Sequence, residues 1–447
     1  MDIDNTVFAY IVSVHSKPGK INLQKCIAYG LKPGPMIGIL KNGKPITLDN
    51  GRRVFPEDVT DKPEPTSSYL FIDCPNQDFV TNLLKSEDLK GDKMQNLKGV
   101  FHFSPLKVVQ SDDYRTWVNT LKQSQEHEIT HIMLNENSND FGTCKTINVN
   151  AKLNMIAPQV FKKMLPRLRD ENEVLEINEV YPNWENARIV QGITDLRYYC
   201  RPYANEIRNN DIDPMKLFQN DLENIQDLKS LMKSTETDIN QVLEKDKNKA
   251  EYPQVTFLGT GSSVPSKYRN VSSILIEPQK DYFVMFDCGE GTLLQLYRLH
   301  GISHTNHILK NLKAVYISHL HADHHLGLVN IILERERALM DSDESLKKMY
   351  VLAPPRIANY LMLYHQNFQP ILTHLIHVNN ELLLPENLPG QKVFNPQRLG
   401  DEELQNFLDY VKLKSVRTCR VFHCPSAFAV SIINHEGFKI VYSGNSF

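Results

Sequence analysis

The stretch YISHLHADHHLG, residues 316–327, sets His319 and His321 one residue apart and follows them with Asp323, His324 and His325. Imidazole nitrogens and a carboxylate are borderline-hard donors suited to zinc. Two histidines one residue apart can reach one metal from a tight turn, while Asp323 and His324 reach a neighbouring one. A two-metal centre lowers the pKa of a bridging water toward neutrality and clamps the attacking and leaving oxygens of a phosphoester. Isolated histidines on a loop are as readily just solvated, but the complete HxHxDH pattern behind an apolar run argues against that reading here.

The elements around the motif place it. Ala314 to Ser318 has the pattern of a buried strand and Gly327 onward the apolar spacing of a helix, so His319 to His325 fall on a connecting loop. Such a loop lies at a strand's C-terminal end, where α/β sheets usually hold their ligands. Upstream, YPQVTFLGTGSSVP, SSILIEP and YFVMFDCGEGT read as strands and LLQLYRLH as a helix, so an α/β domain begins near Tyr252. Between 69 and 200, YLFIDC, GVFHFSP and THIMLNEN read as strands and NAKLNMIAPQVFKKMLPRL contains a helix. Residues 204–250 are rich in Asn, Asp, Lys and Glu, with Ile225, Leu228, Leu231 and Met232 at helical spacing, which reads as a linker carrying a helix. A likeness between LFIDCPN and VMFDCGE hints at duplication but is short enough for chance.

Composition bounds the partners. The chain has 447 residues, 41% hydrophobic and 23% charged, with a net charge of -3, so contact with nucleic acid needs a local cationic patch rather than a global field. The seven cysteines, Cys26, Cys74, Cys144, Cys200, Cys288, Cys419 and Cys424, form no CxxC pair and suggest a reducing, intracellular setting. The N-terminus MDIDNTVFAYIVSVHSKPGK has neither the basic region nor the apolar stretch of a signal peptide, and no apolar run is long enough to span a membrane.

HLHADH with FDCGEGT upstream resembles the metallo-β-lactamase superfamily, which implies an α/β fold of αββα sandwich type. FLGTGSSVPSKYRNVSS narrows the resemblance, because Pro265, Lys267, Arg269 and Asn270 match the PxKxRN motif of ribonuclease Z, the tRNA 3′-processing endonuclease. The resemblance implies that Lys267, Arg269 and Asn270 bind substrate and that Asp287 supports the metal loop. It further implies that His423, in VFHCPSAFAVSI, joins His319 and His321 on one metal, with Asp323 and His324 on the other and Asp323 also serving as general base. His325 follows the family pattern without being a ligand by it. His365, His374, His377 and His435 lack ligand spacing and read as structural or surface residues.

A second signature lies at residues 28–59, AYGLKPGPMIGILKNGKPITLDNGRRVFPEDV, dense in Gly and Pro with spaced cations. Read alone it is a long β-hairpin loop turning at DNG. It also resembles the ribonuclease Z arm that clamps the tRNA elbow, with Lys32, Pro33, Gly34, Pro35, Leu40 and Lys41 matching that element. Lys32, Lys41, Lys44, Arg52 and Arg53 supply the local cationic patch that composition demands. An arm before a metal site is the arrangement of the long form, in which two lactamase-like halves are fused. The resemblance therefore implies a degenerate half at 1–203 with its arm at about 23–59, a linker at 204–250 and a metal-binding half at 251–447. Asn135 stands where the active half of the family carries a histidine.

Two departures qualify the resemblance. The chain is expected to be incomplete at both ends, and Asn445 occupies the position where the family's SGDT segment has an aspartate bridging the two metals. An amide offers one neutral carbonyl in place of a charged carboxylate, so the second of the family's two zinc positions is expected to be weakly held or empty. The implied function is zinc-dependent removal of the 3′ trailer from precursor tRNA, by a monomer of the nucleus, the mitochondrion or both. The alternatives are a non-catalytic tRNA-binding fragment and a lactamase-fold hydrolase of another ester.

Overall fold

The computed structural model describes residues 7–63, 66–89, 94, 96–122, 128–135, 144–165, 181, 184, 187–192, 196–201, 206–208, 228–245, 251–340, 348–385 and 399–445. The second half of THIMLNENSND, Ile225 and most of the remaining linker lie outside the described residues. The chain divides into two units, Met1–Asn139 with Asp170–Asn210, and Asp140–Arg169 with Asp211–Phe447.

The first unit is built on a five-stranded sheet, β1 (Ala9–Val14), β2 (Ser67–Ile72), β3 (Leu97–His102), β4 (Ile129–Met133) and β5 (Ala187–Gln191), in that spatial order. β1 is antiparallel to β2, and the other neighbours are parallel. Leu70, Ile72, Val100, Ile129 and Met133 bury one face against Trp117, Tyr114 and Val118. Between β1 and β2 the chain leaves the sheet as a small excursion with its own core of Cys26, Leu31, Leu40, Ile46, Val54 and Val59. It holds the short helices α1 (Leu23–Ala28) and α2 (Pro35–Lys41), a one-turn helix at Pro56–Val59, and a two-residue hairpin, Ile46–Thr47 with Arg53–Val54. The DNG turn closes that hairpin, with Gly51 at φ 79. The excursion is thus more helical than a hairpin loop, because Pro35 at the first position of α2 starts a helix rather than a strand.

The second unit carries a six-stranded sheet, β6 (Gln254–Gly259), β7 (Ser273–Gln279), β8 (Tyr282–Cys288), β9 (Leu312–Tyr316), β10 (Met349–Ala353) and β11 (Leu375–Asn379), again in spatial order. β6, β7 and β8 pair antiparallel, then β8 to β11 run parallel. Phe283, Met285, Val315 and Ile317 face one way, into a core with Leu296, Ile308, Leu328, Ile331 and Ile332. The alternate residues Val284, Phe286, Ala314 and Tyr316 face the other, toward Phe407, Val411, Val430 and Ile432. Burial on both faces is why these strands read as continuous apolar runs rather than alternating ones.

Helices α3 (Thr292–Lys310) and α4 (Leu328–Met340) supply the first cover. The second comes from α5 (Asp401–Val411) and a three-stranded antiparallel sheet, β12 (Leu413–Arg420), β13 (Phe428–Asn434) and β14 (Lys439–Tyr442). The second unit is thus a layered α/β sandwich, the architecture that the resemblance implies. The two large sheets share one pattern, an antiparallel strand followed by three parallel crossovers, with LFIDC running off the end of β2 and VMFDC ending β8. The linker reading meets the structure in a helix at Leu228–Lys245, whose residues 232–241 expose all but a stripe of Met232, Thr235 and Ile239. Among the described residues no helix is long and apolar enough to cross a membrane.

Candidate metal centre

β9 carries the chain, fully buried, to Tyr316, and the Ile317 N–H still bonds to the Leu352 carbonyl at 2.7 Å. The chain then leaves the sheet, because Ser318 turns toward the end of β8 and a one-turn helix over Ala322–His325 follows. Two glycines permit the close approach. A Cβ at Gly289 would lie 2.3 Å from the Asp323 carbonyl oxygen, and one at Gly327 would lie 2.2 Å from the Gly289 carbonyl oxygen.

Asp287 is the hub. Its φ of 55 ends β8 in the left-handed region, which Asp tolerates better than most residues, and its side chain is fully buried. Oδ1 accepts from the Ser318 N–H at 2.7 Å, and Oδ2 accepts from Ser318 Oγ at 2.8 Å, His324 Nδ1 at 2.6 Å and Tyr442 Oη at 2.6 Å. His319 Nδ1 lies 3.0 Å from Ser318 Oγ, whose own proton is committed to Asp287, so the histidine donates there. Both His319 and His324 therefore keep the proton on Nδ1 and turn a bare Nε2 outward, the arrangement that prepares a histidine to ligate. Sequence reasoning named Asp287 as support but missed Ser318 and Tyr442, whose hydroxyls are brought in by the fold and carry no motif signal.

Around that hub two donor sets form. His319 Nε2 and His423 Nε2 each lie 3.1 Å from His321 Nδ1. Cys424 completes the group, one donor atom from each of the four residues lying within 4.8 Å of all the others. His423 and Cys424 ride on the hairpin between β12 and β13. There the Ala427 N–H bonds to the Cys424 carbonyl and Ser426 takes φ 62, a turn of type II with Pro425 at its second position. The Phe428 N–H bonds to the Ser318 carbonyl at 3.0 Å and ties this hairpin to the histidine loop.

The second set adjoins the first, with the rings of His319 and His324 4.1 Å apart. His324 Nε2 is 3.5 Å from Asp323 Oδ2 and 3.3 Å from Asn445 Nδ2. The fold thus brings Asn445 to the outer end of His324, with its amide donating to the imidazole. Asp323 Oδ2 also accepts from the Ser263 N–H at 2.7 Å, which fixes it to the GTGSS loop.

Protonation follows from these contacts. Burial, then the neighbouring His324, pushes the His319 pKa down to about 4. Burial opposes a cation at His324 as well, but the Asp287 hydrogen bond and charge outweigh it and raise that pKa above its ordinary value. For Asp323, burial acts upward while the Ser263 N–H and His324 act downward more strongly, so the carboxylate stays ionised. Burial also raises the Cys424 thiol.

The donors suit a divalent cation. Three ring nitrogens converge on one point, and a single proton on His321 Nδ1 can serve only one of its two 3.1 Å contacts. A metal ion accepts all of these lone pairs at once.

Elsewhere the structure sorts the sequence candidates. Lys267 and Arg269 are exposed on a turn that Ser266 holds, its N–H bonding to the Arg269 carbonyl at 3.1 Å and its Oγ accepting from the Arg269 N–H at 3.2 Å. Asn270 is 9% exposed, its backbone carbonyl accepting from the N–H groups of Thr260 and Gly261, which closes the loop. On the excursion Lys32, Pro33, Gly34, Pro35 and Lys41 are exposed, whereas Leu40 is 1% exposed. The expectation that Leu40 contacts substrate is therefore corrected: an apolar residue on the inner side of α2 packs into the excursion's own core. Arg52 stacks over Tyr29 at 4.3 Å and Arg53 over Phe55 at 5.3 Å. Asn135 bonds to Tyr181. His365 Nδ1 accepts from the N–H groups of Ile371 and Leu372, and His377 bonds to the Ala353 carbonyl, both structural roles.

Residues 253–445 match the family model described as anti-Pycsar protein Apyc1. The whole chain aligns, at 32% identity, with "Ribonuclease Z, mitochondrial" of Drosophila melanogaster, covering 58% of that protein. Along its whole length, then, this chain is similar in sequence to a ribonuclease Z. Over 98% of the chain it is 30% identical to "Zinc phosphodiesterase ELAC protein 2" of Homo sapiens, covering 52% of it, and 27% identical to "Ribonuclease Z 1" of Schizosaccharomyces pombe. The crystal structure of a long form RNase Z from yeast superposes with a TM-score of 0.62 at 18% identity, over 99% of this chain and 70% of that one, and so shares its fold. The chain spans little more than half the length of the curated relatives it matches.

Proposed function

We propose that this chain carries the metal-dependent endoribonuclease site of a long-form ribonuclease Z, directed at the 3′ trailer of precursor tRNA. The observation that carries this reading is the convergence of His319, His321 and His423 beside Asp323 and His324, with Asp287 underneath. In it, His319, His321 and His423 would hold one zinc ion and Asp323 and His324 a second. Bound there, zinc supplies Lewis acidity to a phosphodiester and acidifies water.

The chain's own residues do the rest. Asp287 fixes the His324 ring through Nδ1 and, by way of Ser318, the His319 ring. Asp323, ionised and held by the Ser263 N–H, is placed to take a proton as general base. Lys267 and Arg269 meet the phosphate backbone, and Lys32, Pro33, Gly34, Pro35 and Lys41 on the excursion hold the tRNA at a distance from the cut. Residues 1–203 then serve for positioning, 204–250 as a linker and 251–447 for chemistry. We place the protein, as a monomer, in the mitochondrion, the nucleus or both; the name of the fly relative supports the first.

Asn445 favours a second reading. Its amide at His324 supplies no bridging charge, which suits a tRNA-binding protein that does not cut. One experiment separates the two: the purified chain is incubated with 3′-extended precursor tRNA and zinc or manganese, beside His321→Ala. Cleavage that the variant lacks supports the nuclease; tRNA retained in a gel shift without cleavage supports the binding protein. Hydrolysis of small esters with no affinity for tRNA overturns both.

A further inference from the structure

Cys424 is the member of the donor cluster to which the HxHxDH pattern and its partner His423 assign no role. Among the described residues, His319, His321, His423 and Cys424 form the group of His, Cys, Asp and Glu side chains whose donor atoms lie close enough together to share a metal ion. The thiol is placed there by structure. The type II turn at Pro425 and Ser426 fixes the backbone of Cys424, and the Phe428 N–H locks the same hairpin to the carbonyl of Ser318, next to His319. The element that delivers His423 thus delivers the sulfur with it.

Distance and charge point the same way. A tetrahedral zinc with nitrogen ligands at about 2.0–2.1 Å and sulfur at about 2.3 Å spaces its donors roughly 3.3–3.6 Å apart. The nitrogen contacts at 3.1 Å are already near that spacing, and the 4.8 Å limit of the cluster leaves about 1 Å, within reach of a small side-chain rotation. Three neutral imidazoles give a divalent ion no charge compensation, and residue 445 is an amide. A thiolate is the anion this set can offer.

We propose that Cys424 is the fourth protein ligand of the metal held by His319, His321 and His423. The proposal rests on the metal-centre reading above and adds a thiolate to it. A soft thiolate tilts the site toward zinc and cobalt(II) and away from magnesium and manganese. Zinc accepts a fifth ligand, so a thiolate in the fourth position still leaves room for a water.

Cobalt(II) tests this without reference to activity. The full chain, freed of metal and titrated with cobalt(II), is expected to develop visible d–d bands together with a near-ultraviolet thiolate-to-cobalt charge-transfer band. Cys424→Ser should lose the second and keep the first, and His321→Ala should lose most of both. If d–d bands grow without the charge-transfer band, or Cys424→Ser leaves that band unchanged, the cysteine is no ligand while the metal centre stands. If the chain develops no bands that His321→Ala changes, the metal centre fails and the proposal with it. Should Cys424→Ser fold poorly, alkylation of the unmodified chain decides. Zinc is expected to slow labelling of Cys424 at least several-fold while leaving the exposed Cys419 unaffected; equal labelling with and without zinc overturns the proposal.

Discussion

Asp287 shows how much one side chain can organise. Its two oxygens take four donors in a site with no water access, so each partner is set by a charge-assisted hydrogen bond. Tyr442→Phe removes the simplest of these and is expected to cost about 1.5–3 kcal/mol of stability by urea denaturation. It should also weaken zinc affinity roughly 10-fold or more, read by chelator competition, because the rings that ligate lose part of their support. Asn445→Asp works in the opposite sense for metal. It restores a charged oxygen donor beside His324 and should raise zinc content measured by elemental analysis from about one toward two ions per chain. An unchanged zinc content would mean that residue 445 does not govern the second position.

At the level of elements, the strand-end loop depends on two backbones passing without side chains between them. Gly289→Ala forces a methyl group against the Asp323 carbonyl and should cost about 1–3 kcal/mol, seen as a lower Tm, with a further loss of zinc affinity as Asp323 moves. The first unit has a different sensitivity. His102, at the end of β3, and His131, in the middle of β4, are buried, with His102 Nδ1 bonded to Tyr114 and His102 Nε2 to His131 Nδ1. Burial, aided by their mutual repulsion, holds His102 well below its ordinary value, and burial pushes His131 down to about 3. Both groups bind protons more readily once unfolded, so the stability they contribute is present above about pH 6.5 and is lost as pH falls from there toward 3. Trp184 packs on both rings and Trp117 on Tyr114, and these are the two tryptophans of the chain. Tryptophan fluorescence should therefore report acid unfolding of this unit beginning below about pH 6.5. A His131→Gln variant that leaves the acid transition unmoved would refute the cause given.

Across the whole molecule, a slightly acidic protein has gathered Lys32, Lys41, Lys44, Arg52 and Arg53 on one excursion that packs its own small core. Because that core is separate, removing residues 28–54 should spare the sheet of the first unit. The expected result is weaker tRNA binding, with the slope of log K against log salt becoming shallower by about 0.7–0.9 for each phosphate that the excursion neutralises. Hydrolysis of a small phosphodiester should be unaffected. An equal loss on both substrates would mean that the excursion is structural.

The sequence by itself determined the site's inventory and most of its placement. HLHADH behind a buried strand, FDCGEGT upstream and His423 downstream carry their signals in residue type and spacing, because metal ligation tolerates few substitutes and a strand-to-helix loop holds them at fixed separation. Tertiary structure decided which side chains face inward. Leu40 and Asn270 sit inside motifs that read as surfaces and are buried, since a short motif does not say which side of a turn or helix meets the core. The likeness of LFIDC and VMFDC is too short to weigh as sequence; only the fold shows that both lie at the end of a strand that pairs antiparallel on one side and parallel on the other. Tyr442 joined the centre only through packing, whereas Ser318 and Cys424 adjoin His319 and His423 in the chain and stayed silent because sequence does not say which way a neighbouring side chain in a turn points.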